Sequence, residues 1–437
     1  AAVDGGVDLI LNVDGTTTVG EVGSGNAIGT GTGAAITVNS LGTSEFQSAV
    51  EVASGIVQVN AAGDVTFREN VTVAAGDTDT TFNANVTLDG LTFTSNGGLD
   101  VQFGNAAGVD QLTLSGDDVT FDINAGAAGN ASLDVQAAVD GGVDLTLNVD
   151  GTTTFQGDVG QTTAIGDGTG AAITINSIGE TIYQGTVVTE SGLVQDNAAG
   201  EVTFLRNVTI AAGDTATIFN KNVTIDGTVP NPLNFNSTSD VTFGNDAADR
   251  LTLFPDVNFN VLGALQFISV VINNNGGDIV FSSDTLEVNN TIDTGGGNFT
   301  FTATVGDVDF TSNGRIFSQG GNVSITSDLG SITMEDGAEV NSGAGTILFD
   351  APNGDIQLSG LSTTNATDIA VQIMTGGSVT DAGDTNVDIQ APNGRLVITS
   401  VDGVGTGDAI ETTVSSIDID NTGAGNVEIA ETDDLAI

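Results

Sequence analysis

The sequence has 437 residues, of which 57 are Asp or Glu and only 6 are Lys or Arg, so its net charge is -51 at pH 7. So acidic a surface repels nucleic-acid phosphates and anionic headgroups, which argues against a nucleic-acid partner and against membrane insertion. The chain has no Cys and therefore has no disulfide and no thiolate metal site. Disordered acidic chains have few apolar residues, whereas 39% of this chain is apolar, which is enough for a long core.

The chain repeats itself over a long stretch. The opening AAVDGGVDLILNVDGTTT returns at Ala137 as AAVDGGVDLTLNVDGTTT, with Thr146 in place of Ile10. The copies then stay in step, as in GAAITVNSLG at Gly33 and GAAITINSIG at Gly170. An offset of about 136 residues is too long for one coil of a repeat protein, so each copy predicts a block of roughly five or six coils. We therefore divide the chain into repeat copy 1 (1–136), repeat copy 2 (137–262) and a third block (263–437).

The third block shows the coil length. Segments of the form Gly-x-apolar-x-apolar begin at alternating steps of nine and fifteen positions: Gly297, Gly306, Gly321, Gly330, Gly345 and Gly354. The pattern therefore has a period of about 24 residues, which is typical of solenoid repeats. The two apolar residues of each segment are two apart, which is the period of a β-strand. The predicted inward-facing pairs are Phe299/Phe301, Val308/Phe310, Val323/Ile325, Ile332/Met334, Ile347/Phe349 and Ile356/Leu358. After Leu358 the spacing loosens, but NVDI at Asn386, GRLVI at Gly394, SIDI at Ser416 and NVEI at Asn426 keep the form.

Two strands at fixed positions in a 24-residue coil predict an all-β fold, a parallel β-helix or β-solenoid of roughly 18 coils. Glycines, and the APNG segments at Ala351 and Ala391, are expected at the corners, where they allow φ > 0 or fix the turn. The alternative is an array of β-sandwiches. Such an array would need Pro-rich linkers and a Trp or Tyr in each core, whereas the chain has 5 Pro, 1 Tyr and no Trp.

Several segments resemble known bacterial surface proteins. GGNVSITSDLGSITM and NGDIQLSG resemble coils of filamentous-haemagglutinin-type adhesins. DGTTTFQGDVGQTTAIG from Asp150 is similar to blocks of very large bacterial β-strand-repeat surface proteins of the giant adhesin type. The resemblance implies a right-handed β-helix that is extracellular, either displayed at the cell surface or assembled in a matrix.

The residues needed for catalysis are scarce. The chain has no His and no Trp, so it lacks the usual general base and the usual aromatic platform for a sugar. Its six cations are scattered along the sequence: Arg68, Arg206, Lys221, Arg250, Arg315 and Arg395. We expect no enzyme, no catalytic residues and no cofactor. A β-helical polysaccharide-active enzyme, working through a pair of carboxylates, is the alternative that stays open.

Calcium is the one candidate metal, because its ligands are carboxylate and carbonyl oxygens. NVDG occurs at Asn12 and at Asn148, and DVDF at Asp307 and IDID at Ile417, with Asp418 and Asp420, place acids on one face of a strand. No complete calcium-binding loop is present, so the sequence favours diffuse screening by salt and leaves the metal ligands undetermined.

Together these features predict a non-enzymatic structural protein that forms a cell-surface or matrix filament. Its partner would be itself, joined head to tail through the strand-like segments Val7–Val13 and Val427–Ile437. A stalk segment of a giant adhesin, in which the same chain continues, is the alternative. A cell-surface or matrix polysaccharide is a further candidate partner.

Overall fold

The structure, a computed structural model, describes residues 2–59, 62–105, 109–124, 130–228, 232–246, 248–254, 256–268, 271–274, 276–367, 369–383 and 386–432. Every regular element in these residues is a β-strand and every strand pair is parallel, which confirms the predicted β-solenoid. Contacts divide the chain into two compact units, Ala1–Lys221 and Asn222–Ile437. The boundary between them lies inside repeat copy 2.

Unit 1 is built from short strands, most of them three residues long. They are β1 (Leu9–Leu11), β2 (Thr17–Val19), β3 (Ile36–Val38), β4 (Ser44–Phe46), β5 (Val50–Val52), β6 (Ile56–Gln58), β7 (Val65–Phe67), β8 (Val71–Val73), β9 (Thr80–Phe82), β10 (Val86–Asp89), β11 (Thr92–Ser95), β12 (Val101–Phe103), β13 (Gln111–Ser115), β14 (Val119–Ile123), β15 (Leu133–Val135), β16 (Ala138–Asp140), β17 (Leu145–Val149), β18 (Thr153–Phe155), β19 (Ile173–Ile175), β20 (Thr181–Tyr183), β21 (Val187–Thr189), β22 (Leu193–Gln195), β23 (Val202–Phe204), β24 (Val208–Ile210) and β25 (Thr217–Phe219).

Three parallel sheets run through unit 1, and each coil contributes one strand position to each sheet. The first sheet stacks β1, β3, β6, β9, β12, β15, β18, β20 and β23. The second stacks β2, β4, β7, β10, β13, β16, the single bridging residue Val159, β21 and β24. The third stacks the bridging residues Val3 and Val22, then β5, β8, β11, β14, β17, β19, β22 and β25. The sequence predicted two strands per coil, which is wrong, because each described coil has three.

The sequence repeat and the coil do not have the same period. Leu9 of β1 and Leu145 of β17 are equivalent in the repeat, but β1 belongs to the first sheet and β17 to the third. From β1 to β17 the chain passes through 17 strand positions, the bridging residue Val22 included, and 17 is not a multiple of three. One copy thus spans five and two-thirds coils, which confirms the predicted five or six. Every strand of copy 2 within unit 1 lies one sheet away from its equivalent in copy 1.

Unit 2 has the same type of architecture, and more of its strands are four or five residues long. They are β26 (Val223–Asp226), β27 (Leu233–Ser237), β28 (Val241–Phe243), β29 (Arg250–Phe254), β30 (Val257–Val261), β31 (Ala264–Phe267), β32 (Val271–Asn274), β33 (Ile279–Ser283), β34 (Thr285–Val288), β35 (Thr291–Asp293), β36 (Phe299–Ala303), β37 (Val308–Phe310), β38 (Arg315–Phe317), β39 (Val323–Ser327), β40 (Ile332–Met334), β41 (Glu339–Asn341), β42 (Ile347–Ala351), β43 (Ile356–Leu358), β44 (Gly360–Ser362), β45 (Val371–Thr375), β46 (Val379–Asp381), β47 (Ile389–Ser400), β48 (Ile410–Asn421) and β49 (Ile429–Glu431).

The strands of unit 2 also stack in three columns. One column runs from β26 through β29, β32, β35, β38, β41 and β44 to the start of β47. A second runs from β27 through β30, β33, β36, β39, β42 and β45 to the end of β47. The third comprises β28, β31, β34, β37, β40, β43 and β46. The two long strands β47 and β48 pair along both halves, with a register shift between Ala391 and Arg395.

The coil length agrees with the prediction where the sequence pattern is regular. Phe299 pairs with Val323, and Val323 pairs with Ile347, so each of these coils has the predicted length. In unit 1 the length varies, because loops between strands differ. Thr80 pairs with Val101 and Val101 with Leu133, which makes the second of these coils about half as long again as the first. The described residues accordingly make about 16 turns rather than the roughly 18 expected.

The core of unit 2 contains all twelve of the predicted inward-facing residues, each at most 1% exposed. Their strands alternate buried and partly exposed positions, as the spacing of two requires. The rings of Phe310 and Phe349 meet across the core with centroids 6.4 Å apart. Burial of each such side chain stabilises the fold by about 1.5–3 kcal/mol, so the stacked columns account for much of the stability.

Glycines at the starts of these strands serve close packing rather than positive φ. A Cβ on Gly321 would lie 2.0 Å from the carbonyl oxygen of Gly297, and one on Gly345 would lie 1.9 Å from that of Gly321. None of the three has φ in the left-handed region, so the expectation of φ > 0 is wrong for them. It is confirmed elsewhere, for example at Gly166 with φ of 102°.

The two APNG segments differ from each other. The first begins with Ala351, the last residue of β42, and forms a turn. The second lies within β47, where the chain passes from one column to the next at the register shift. Both therefore mark a change of sheet, as predicted, but only the first interrupts the strand.

Candidate functional site

Acidic and amide side chains form regular columns at the corners, immediately before the strands. In unit 2, Oδ1 of Asp278 accepts the backbone N–H of Asn298 at 2.9 Å, and Oδ1 of Asn298 accepts that of Asn322 at 2.8 Å. Asn322 in turn accepts the N–H of Thr346 at 2.9 Å. Each side chain thus satisfies a donor of the next coil that the turn leaves unpaired.

The same device recurs in other columns. Asp307 accepts the N–H of Ser331 at 2.7 Å, and Asp355 accepts that of Ser378 at 2.7 Å. In unit 1, Oδ1 of Asp100 accepts the N–H of Ser132 at 2.8 Å. Part of the acidic excess is therefore structural, because a carboxylate caps the coil that follows it.

Three cations, which looked scattered in the sequence, each contact an acid of a neighbouring coil. Arg68 contacts Glu45 through Nε and Asp89 through Nη1, the latter at 2.6 Å. Arg315 lies 3.9 Å from Glu339, and Arg395 lies 3.5 Å from Asp418. These pairs are partly exposed, so they hold neighbouring coils in register more than they add stability.

The segments proposed for calcium have other roles in the structure. The NVDG amides form ladders, with Asn39 donating to Asn12 and Asn176 donating to Asn148, both at 2.9 Å. Asp307 caps the next coil, and Asp418 pairs with Arg395. Across the described residues, no group of three or more His, Cys, Asp or Glu side chains is arranged to hold a metal ion.

Two surface cavities have acidic walls. One, of about 290 Å³, is lined by Glu21, Val22, Ser24, Ser48, Ala49, Glu51 and Glu69. The other, of about 210 Å³, is lined by Asp79, Thr80, Thr81, Asp100, Val101, Gln102, Ser132 and Asp134. Both linings consist of acidic, small polar and aliphatic side chains. A sugar-cleaving site would need an aromatic platform beside its acids, and these two linings do not supply one.

Asp144 lies beside the glycine-rich loop of copy 2, residues 166–170. Its Oδ1 is buried without a hydrogen-bond donor among the described residues. Burial raises the pKa of Asp144 to about 6, and the charge of Asp118 adds to the shift; the Asp167 backbone opposes it. The loop is fixed from two coils away, because the N–H of Gly170 donates to Asp214 at 2.7 Å.

A second group of acids lies near the end of unit 2, and we call it the buried acid cluster: Asp381, Asp388 and Glu411. Asp388 is 1% exposed and directly precedes β47. Its Oδ2 accepts the N–H of Glu411 at 2.9 Å, and its backbone carbonyl accepts that of Leu361 at 2.7 Å. Asp388 is the polar residue between the two apolar positions of NVDI, yet it is buried, because it sits at a corner where the strand has not yet begun.

The outermost described coil of unit 1 exposes apolar side chains that copy 2 buries. Val7 is 68% exposed and Val13 is 40% exposed, whereas their equivalents Val143 and Val149 are 8% and 1% exposed. The difference follows from stacking, since β17 has β14 on one edge and β19 on the other. Among the described residues, β1 pairs with β3 alone.

At the other end of the chain, Val427 of the NVEI segment is 47% exposed. Residues 433–437 of the predicted contact segment lie outside the described residues.

The chain matches no protein-family model, and searches of the curated proteins and of the solved structures return no match. The described residues include no helix long and apolar enough to cross a membrane.

Proposed function

We propose that this protein is a non-enzymatic, extracellular structural protein whose coils stack end to end with other copies in a cell-surface or matrix filament. The observation that supports this most directly is the difference between Val7 and Val143. The same sequence, AAVDGGVDL, is covered by a preceding coil in copy 2 and uncovered in copy 1. Because this coil surface packs against a neighbouring coil in copy 2, the same surface in copy 1 can pack against a coil of another molecule.

Backbone geometry agrees with strand addition at β1. In a parallel ladder, alternate residues bond to opposite edges. Leu9 donates to Ala35 and Leu11 accepts from Asn39, so both face β3. The N–H and C=O of Ile10 therefore point to the opposite edge, where an added strand of another copy would bond them.

The charge pattern fits an assembly that depends on ionic strength. A net charge of -51 opposes association of two copies, yet Val7, Ile10 and Val13 at the contact are uncharged and apolar. Salt shortens the Debye length to about 8 Å at 0.15 M, which removes most of the long-range repulsion while leaving the apolar stacking intact.

The test is electron microscopy of the purified chain at 10 mM and 500 mM NaCl. We expect filaments that lengthen with salt, and their loss in the double variant Val7→Lys, Val13→Lys, because Lys at a strand edge blocks pairing. The matched control is Ile178→Lys, Leu329→Lys, which makes the same charge change at two exposed residues that lie outside the first coil. Filaments in the edge variant that equal those of the control would contradict the proposal.

The second candidate is a stalk segment of a giant adhesin, favoured by the same uncovered edge. In that case the covering coil belongs to the same polypeptide, and the purified chain remains as isolated particles at every salt concentration. A cell-surface or matrix polysaccharide is a further proposed partner, for which binding of the chain to purified glycans is the direct measurement.

A further inference from the structure

We propose that Asp381 and Asp388 hold one proton between their carboxyl groups, and that its release loosens the corner between β46 and β47 and its contacts with the neighbouring coils. The inference is independent of the proposed filament. It concerns the buried acid cluster, which the filament proposal does not use.

Several carboxyl oxygens of the buried acid cluster have no hydrogen-bond donor in the described part of the chain. Both oxygens of Asp381, Oδ1 of Asp388 and Oε2 of Glu411 are buried, and no donor among the described residues reaches them. An ionised carboxylate only accepts hydrogen bonds, so two ionised groups facing each other repel and leave every acceptor unsatisfied. One proton turns one carboxyl into a donor and allows the side-chain hydrogen bond between Asp381 and Asp388.

Electrostatics agree with this geometry. Burial raises the pKa of Asp388 to about 8; the hydrogen bond from the Glu411 backbone opposes the shift, and the charges of Asp381 and Glu411 add to it.

The described strands that pack around the pair bring no cation to neutralise it. Asp381 comes from β46 and Glu411 from β48, while β44 contributes Gly360, Leu361 and Ser362, none of which titrates. The cation on β47, Arg395, lies near Asp418 instead. Asp384 lies outside the described residues.

The position of Asp388 links its protonation to the surrounding backbone. Asp388 fixes the N–H of Leu361 on β44 and that of Glu411 on β48. Loss of the proton places two negative charges side by side in a nearly dry site. Their repulsion forces the Asp381 and Asp388 side chains apart and displaces the corner from which Asp388 makes both contacts. The folded state binds this proton and the unfolded state, with an ordinary Asp, does not, so local stability falls as pH rises from about 4 to about 8.

The experiment is hydrogen exchange of the Leu361 and Glu411 amides in the intact chain from pH 5 to pH 9, divided by the intrinsic exchange rate at each pH. Release of one proton predicts an opening equilibrium that rises by up to about tenfold per pH unit up to pH 8 and then levels off. In Asp388→Asn the amide replaces the protonated acid, and we expect this rise to disappear. Asp381→Asn should abolish it as well and serves if the first variant fails to fold.

The matched control is Asp420→Asn on β48, an exposed acid whose loss changes the net charge equally. The control should keep the pH dependence of the wild type. Wild-type protection that does not vary with pH would overturn the proposal. It would also be overturned if Asp388→Asn and Asp381→Asn both kept the pH dependence of the wild type, because the titrating group would then lie elsewhere.

Discussion

Tyr183 stacks on Phe155 with ring centroids 5.1 Å apart and ring planes 3° from parallel, and it stacks in the same way on Phe204 at 5.2 Å. Its hydroxyl is buried without a hydrogen-bond partner among the described residues. The equivalent residue of copy 1 is Phe46, which stacks on Phe67 at 5.0 Å without a hydroxyl to satisfy. The aromatic column therefore requires the ring and not the phenol.

The first prediction is that Tyr183→Phe stabilises the protein by about 1 kcal/mol, because it removes a buried polar group that no hydrogen bond compensates. Urea unfolding monitored by circular dichroism measures the change. A loss of stability in the variant would show that the hydroxyl has a partner, and Phe46→Tyr, the reverse change in copy 1, is the control expected to destabilise.

The second prediction tests the core. Phe310→Asp should destabilise unit 2 by several kcal/mol, since it places an unpaired charge where a fully buried ring stood. The neighbouring change Asp309→Asn is the control, because Asp309 faces outward and burial raises its pKa, so neutralising it removes charge without removing core volume. If Phe310→Asp melts at the same temperature as Asp309→Asn, the assignment of the core is wrong.

The third prediction concerns salt. Self-repulsion from a net charge of -51 opposes folding, so the melting temperature should rise between 10 mM and 500 mM NaCl. A melting temperature independent of NaCl would contradict this account. A rise with CaCl₂ that exceeds the rise with NaCl at equal ionic strength would instead indicate specific calcium sites.

The fourth prediction uses the pKa of Asp144, which burial raises to about 6. The folded state holds this proton more tightly than the unfolded state, so the contribution of Asp144 to stability declines as pH rises from about 4 to about 6. Asp144→Asn should remove that decline and raise stability at pH 7 by about 1 kcal/mol or less, since solvent screens a partly exposed group. The midpoints of urea unfolding of the wild type and of Asp144→Asn at pH 5 and pH 7.5 measure this difference in stability. The matched control is Asp8→Asn, the equivalent change in copy 1.

The sequence was sufficient to predict the parallel solenoid and its 24-residue coil, because the Gly-x-apolar-x-apolar segments report two inward residues on each strand. It did not show the third strand of each coil. Strands such as β38 and β41 carry a single buried residue, Ile316 or Val340, and so lack the spacing of two that revealed the others. A lone apolar residue in a Gly-rich chain is not distinguishable from a loop position.

The buried acid cluster was beyond sequence reasoning for a different reason. Asp388 occurs in NVDI, which has the same form as NVEI and SIDI, and nothing in the four letters indicates that its carboxyl turns inward. Its surroundings include Asp381, at the end of the preceding strand, and Glu411, which approaches it only when consecutive coils stack. The outward columns of capping acids were hidden in the same way, since Asp278 and Asn298 are neighbours across coils and not along the chain.

The offset between repeat and coil has a consequence for how the gene of such a protein can change length. A duplication whose number of strands is not a multiple of three leaves the following strands one or two sheets out of place, and unit 1 shows that a strand such as β17 packs well after such a displacement. The smallest inheritable increment is then one strand with its turn, roughly a third of a coil, rather than a whole coil. If folding required the gain or loss of whole coils, only one breakpoint per coil would be allowed, whereas a unit of one strand allows three. A surface motif within the repeat would also lie on a different sheet in each successive copy.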